Sequence, residues 1–200
     1  MTRRYVLLTA LTVAALAVAG CSGSEPTSGS ASSPTAPAPV VSEGTLVPAA
    51  QGGPALTYAP AAAPAGAKLQ VQTVRAATST TATLTVAGLL PNRGYAAHLH
   101  AKPCGPTGND AGPHFQNQVD PAATPQKPSS DPAYANPRNE FWLDVHTDGA
   151  GAGTSSTTVP FALTNRAPTS LIVHEKETTS SAAEQAGTAG GRLACLNVTP

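Results

Sequence analysis

The chain has 200 residues, 11 of them lysine or arginine and 11 aspartate or glutamate, for a formal net charge of zero. Only 11% of residues are charged and no basic run is present, so the clustered positive charge that nucleic-acid binding needs is missing. Loss of Arg3 and Arg4 with a cleaved leader leaves nine basic against eleven acidic residues, a balance of minus two.

Arg3 and Arg4 precede an uncharged run from Tyr5 to Gly20, YVLLTALTVAALAVAG. The run is shorter and richer in small residues than a spanning helix needs, and it reads as a secretory signal. It ends in LAVAGC, where small residues lead into Cys21, similar to a bacterial lipobox. The expected product loses residues 1–20, carries lipid on Cys21, and is exported and anchored to the outer side of the cell membrane. RRYVLL also resembles a twin-arginine signal, and the export route stays open. Residues 21–55 are mostly Ser, Pro, Ala, Gly and Thr, too poor in large apolar side chains to offset the entropy of folding. They are expected to form a disordered tether, leaving one domain over residues 56–200.

Within that domain the apolar period is near two. AKLQVQTVRA, TATLTVAGLL, GYAAHLHA, EFWLDVHTD, TVPFAL, SLIVHE and RLACLNV are short, alternating or β-branched, and separated by Gly, Pro, Asn or Asp. No amphipathic helix stands out, and the pattern predicts an all-β sandwich or Greek-key barrel. Two loops, 116–139 and 177–190, are longer than such a fold needs, which marks them as functional or disordered. Phe115, Phe141, Phe161 and Trp142 are expected to serve packing, because aromatics are few and cores use them first.

Once Cys21 is assigned to lipid, Cys104 and Cys195 are an even pair in an oxidising compartment, and a disulfide is expected between them. Closing so long a loop contributes about 4 kcal/mol in the chain-entropy account. His98 and His100 lie two apart on a strand, so both rings face one side while Leu99 faces the other. Imidazole suits Cu, Zn, Fe and Ni. The HxH pair alone leaves open two buried histidines satisfied by hydrogen bonds.

His114 in NDAGPHFQN and His174 in SLIVHEKE complete an ordered series with HLH and GTAGGRLAC. Over residues 67–198 this series resembles the copper/zinc superoxide dismutase family, which shows H-V-H, A-G-P-H-F, V-V-H-E-K and G-S-R-L-A-C segments in that order. The resemblance implies an eight-stranded Greek-key β-barrel with Ig-like sandwich architecture and an active site outside it, under two long loops. It implies one copper per chain held by His98, His100, His114 and His174, with His114 in the position that bridges copper and zinc. Arg192 matches the arginine that attracts superoxide and hydrogen-bonds it, and Cys104 and Cys195 match the family disulfide. A copper chaperone is a possible partner, and the family contains both monomers and dimers.

The zinc half of the pattern is missing. Lys127, Asn136 and Asn139 stand where the family has its other zinc ligands, and Asp120, Asp131 and Asp144 with one histidine make a poor zinc site. Copper without zinc is therefore expected, with the loop held by its prolines and the disulfide. Glu140 is the candidate hydrogen-bond partner for His114, whose other nitrogen needs one. The aspartate that links the two metals' ligands in the family is also missing, since residues 177–190 hold only Glu177 and Glu184 as acids. His146, before a turn, is expected to be an exposed histidine. A second reading is a copper-buffering, copper-delivering or structural protein on the same scaffold, with little turnover. A zinc hydrolase built on HxH is a third, for which no general base stands beside the motif.

Overall fold

The structure, a computed structural model, describes residues 38–199. The expectations for the signal segment, Cys21 and the first part of the tether lie outside these residues. The strands in chain order are β1 (Val40–Thr45), β2 (Val47–Pro48), β3 (Ala55–Thr57), β4 (Lys68–Arg75), β5 (Thr80–Ala87) and β6 (Gly94–Tyr95). They continue with β7 (Ala97–His100), β8 (Val145–His146), β9 (Gly153–Val159), β10 (Ser170–His174) and β11 (Arg192–Asn197). Two single 3-10 turns, Ala49–Gln51 and Gly108–Ala111, are the only helical elements among the described residues.

One sheet runs β1-β4-β5-β9 and the other β2-β3-β11-β10-β7, with β6 and β8 as a separate pair. Their inner faces supply a common core. Leu69 and Val71 of β4 and Ala82, Leu84 and Val86 of β5 meet Leu99, Leu171, Val173, Ala194 and Leu196 of the second sheet. The expected all-β sandwich is what forms. Its strands divide into eleven segments in three sheets, consistent with the expected barrel-type sandwich, and among the described residues the ladders do not run continuously around a closed barrel.

Three strands differ from the sequence expectation. The tether was expected to reach residue 55, yet β1 pairs with β4 from Val40↔Thr73 to Thr45↔Lys68, and Leu46 beside it is 1% exposed. Composition hides this strand because edge pairing is made by the backbone, whatever the side chains. Its entry into the fold is tight: a Cβ at Gly44 would lie 2.6 Å from the Ala55 side chain. The strand expected at TVPFAL lies earlier, as GTSSTTV in β9. Pro160, which lacks an N–H for the ladder, follows its last residue. EFWLDVHTD shrinks to β8 and isolated bridges such as His98↔Trp142.

The site is positioned by β7 and β10. All of β7 is buried, with Ala97 and Leu99 in the main core and His98 and His100 on the other face. Beyond its free edge, Leu143 N–H donates to Ala97 O at 2.8 Å and Phe115 N–H to Leu99 O at 2.8 Å, which brings two distant segments beside the histidines. Between β10 and β11 the register shifts at Val173/His174, so that Ala194 opposes Val173 but Arg192 opposes His174. This bulge sends Leu193 into the core and sets Arg192 on the face of His174. The disulfide Cys104–Cys195 forms, with Cα atoms 5.8 Å apart across 91 residues.

Candidate metal centre

His98 and His100 come from β7, His174 from the end of β10, and His114 from the segment bridged to His100. Each of the four offers a ligand atom, and these atoms lie within 4.8 Å of one another. His98 and His100 are fully buried and His174 nearly so, whereas the His114 side chain is 17% exposed.

Every ring has one nitrogen engaged by the protein. His100 Nδ1–H donates to Gly112 O at 3.0 Å, His174 Nδ1–H to Gly190 O at 3.4 Å, and His114 Nδ1–H to Glu140 Oε2 at 2.9 Å. His98 uses Nε2, 2.7 Å from the Thr179 hydroxyl. The opposite nitrogens turn inward. His98 Nδ1 is buried with no hydrogen-bond partner, and His100 Nε2 lies 3.4 Å from His174 Nε2. With both Nδ1 atoms donating to carbonyls, these two nitrogens carry lone pairs and no proton between them. Facing lone pairs and an orphaned buried nitrogen are what a cation would satisfy.

Protons do not meet that need near neutral pH. Burial, followed by repulsion from the neighbouring rings, holds His98 and His100 well below the ordinary histidine range. Burial likewise takes His174 to about 3. The rings stay neutral, which is the ligating form. Four imidazole nitrogens suit copper or zinc.

A family model described as copper/zinc superoxide dismutase (SODC) matches residues 67–198. The chain belongs to the copper/zinc superoxide dismutase family. Superoxide dismutation at a histidine-held metal is the general activity that this membership carries, with superoxide as substrate. No curated protein matches the chain. The edge strand β1 and the pair β2 and β3 precede the matched residues and complete the dismutase-type sheets.

Of the other expected site residues, Arg192 stands opposite His174, its guanidinium donating to Gly108 O at 2.8 Å. Burial lowers its pKa from the ordinary value. Gly108 lies so close that a Cβ there would be 2.7 Å from Arg192 Cβ. Glu140, 1% exposed, accepts from His114, from Gln116 at 2.8 Å and from Trp142 Nε1–H at 2.7 Å. Trp142 is thus more than packing: it holds Glu140 and sets its ring edgewise to His98, 6.0 Å between centroids. Phe115, Phe141 and Phe161 do pack together, and His146 is exposed.

The residues at the dismutase zinc positions do other work. Asn139 donates to Gln118 O and Tyr134 O, both at 2.8 Å, and accepts from Gln118 N–H. Asn136 donates to Pro132 O and Ala133 O. Asp120 accepts from Ser129 and Ala122, and Asp131 from Ala133. The loop expected to rest on its prolines and the disulfide is held mainly by these amide and carboxylate side chains. Among the described residues the four histidines are the one group of three or more metal-type side chains that converge.

The sequence reading missed Thr179 and the role of Asp144. Asp144 accepts from Thr179 Oγ1 and from Thr179 N–H, both at 2.6 Å, and from Ala97 N–H at 3.2 Å. A signal was present: Glu140, Trp142 and Asp144 alternate with the core residues Phe141 and Leu143, which places them on one face beside the histidines.

Proposed function

We propose that this protein is a copper superoxide dismutase that works without zinc, exported and held to the outer face of the cell membrane by lipid on Cys21. The observation that carries the proposal is the convergence of ligand nitrogens from four imidazoles, with Arg192 on the same face. Copper, when bound there, supplies a one-electron couple, so that two superoxide ions and two protons become dioxygen and hydrogen peroxide. The zinc-free part is supported by His114 Nδ1, which Glu140 occupies, and by the loop hydrogen bonds of Asn136 and Asn139.

The chain's residues divide the remaining work. Arg192 has five N–H donors and a permanent charge; one donor fixes it to Gly108 O, and the others serve to hold a small anion. His98, His100 and His174, buried on rigid strands, define the geometry and exclude bulk water. His114, the most exposed of the four, is the ring placed to take up a proton at Nε2, when that nitrogen is free of a metal, and to pass it to the departing product. Glu140 meanwhile keeps the Nδ1 proton of His114 in place.

The test is metal content and superoxide dismutase activity of the full chain reconstituted with copper and with zinc separately. Expected are about one copper per chain, no tight zinc, loss of activity in His114→Ala, and a fall in kcat/KM of roughly tenfold or more in Arg192→Ala. Copper bound tightly with negligible turnover would leave a copper-holding lipoprotein on a dismutase scaffold.

A further inference from the structure

His98 differs from the other three histidines in presenting Nδ1 rather than Nε2 to the centre, and nothing in its own strand dictates that choice. The hydrogen bonds around Asp144 do. Its Oδ1 receives Ala97 N–H and its Oδ2 receives Thr179 N–H, so both oxygens serve as acceptors, as a carboxylate's do. The Thr179 hydroxyl, 2.6 Å from Oδ1, must therefore spend its single hydrogen on Asp144. Toward His98 that hydroxyl has only lone pairs left, and at 2.7 Å it can only accept.

We propose that Thr179 and Asp144 form a positioning pair that locks His98 as the Nε2–H tautomer and thereby keeps its Nδ1 bare for the metal. The pair also explains the orphaned state of that buried nitrogen. Asp144 sits in the segment beside β7 and Thr179 in the loop 177–190, so docking of this loop and the donor state of a ligand are one event. A carboxylate is required rather than an amide: an asparagine NH2 at residue 144 would confront Ala97 N–H in one flip and Thr179 N–H in the other. In the first flip it would donate to Thr179, freeing the hydroxyl proton to point at His98 and favouring the Nδ1–H tautomer, which blocks the ligating atom.

This inference rests on reading the four histidines as a metal centre, and the test separates the two. The full chain, metal-free and 15N-labelled, is examined by imidazole 15N NMR to assign the His98 tautomer, and Cu(II) affinity is measured by chelator competition. Expected is Nε2–H at His98 in the unaltered chain. In Thr179→Val the signal moves toward a mixture or Nδ1–H and copper affinity falls about ten- to a hundredfold. Asp144→Asn shifts the signal in the same direction, and Thr179→Ser restores both readouts. An unaltered chain with His98 protonated at Nδ1 would overturn the proposal. So would Thr179→Val with the tautomer and affinity unchanged. Tautomer shifts as expected in a chain that binds no copper would support the positioning pair while refuting the metal reading.

Discussion

Gly108 shows how little tolerance surrounds Arg192, the arginine proposed to hold the anion. Its carbonyl accepts from Arg192, and its missing side chain leaves space for Arg192 Cβ, which a methyl group would approach to 2.7 Å. Gly108→Ala is therefore expected to displace the guanidinium without touching a copper ligand. The measurement is the salt dependence of kcat/KM: a lower rate with a flatter salt response, at unchanged copper content, is the expected result, and an unchanged salt response would refute it. The four histidines were legible in the sequence because a strand places i and i+2 on one face, which joins His98 and His100, and because His114 and His174 fall in the ordered series of segments that resembles the family's. Thr179 was not. A threonine in a Ser- and Thr-rich loop has no local signature, and its importance arises only when folding sets its hydroxyl between Asp144 and His98.

At the scale of elements, β1 and the disulfide do more than the sequence suggests. A chain begun at residue 56 would lose β1, expose the β4 edge over six paired positions and uncover part of the core. Such a truncation is expected to be strongly destabilised or to aggregate, since unpaired edges recruit other strands. A truncated chain with the full chain's denaturation midpoint would contradict this. Composition argued for a tether through residue 55 because edge strands need few apolar residues, and β9 was displaced for the same reason, its hydroxyl side chains alternating outward. The disulfide closes 91 residues and holds the segment that carries Gly108 against β11. Reduction is expected to cost about 4 kcal/mol of stability and to lower activity before the fold is lost. Denaturant midpoints and rates with and without reductant give the comparison.

For the whole molecule, the metal-free centre makes stability depend on pH. His98, His100 and His174 remain neutral in the native state below the range where unfolded histidines, with ordinary pKa near 6.5, take protons. Above that value both states are neutral and no dependence arises. As pH falls through it, the unfolded state binds more protons, so stability drops by up to about 1.4 kcal/mol per unit for each ring. The decline continues toward the folded value, about 3 for His174. Three such rings weigh heavily against a domain stability of about 5–15 kcal/mol. The copper-free chain is expected to lose Tm steadily between pH 7 and pH 5, and a flat profile would contradict the buried neutral cluster. The all-β architecture was legible from periodicity, because alternation survives in β4 and β5, which turn one face to the core and the other outward. The division into three sheets was not, since bulges and isolated bridges are decided by long-range packing.

The position of Trp142 has an optical consequence. It is the one tryptophan in the chain, bonded through its indole N–H to Glu140 and set edgewise to His98. All indole emission therefore arises within a few ångströms of the centre. A paramagnetic ion seated among the histidines quenches such emission, whereas a closed-shell ion of equal charge leaves it bright. The protein carries its own fluorimeter, and a cuvette titration with no added dye distinguishes one metal from the other as each arrives.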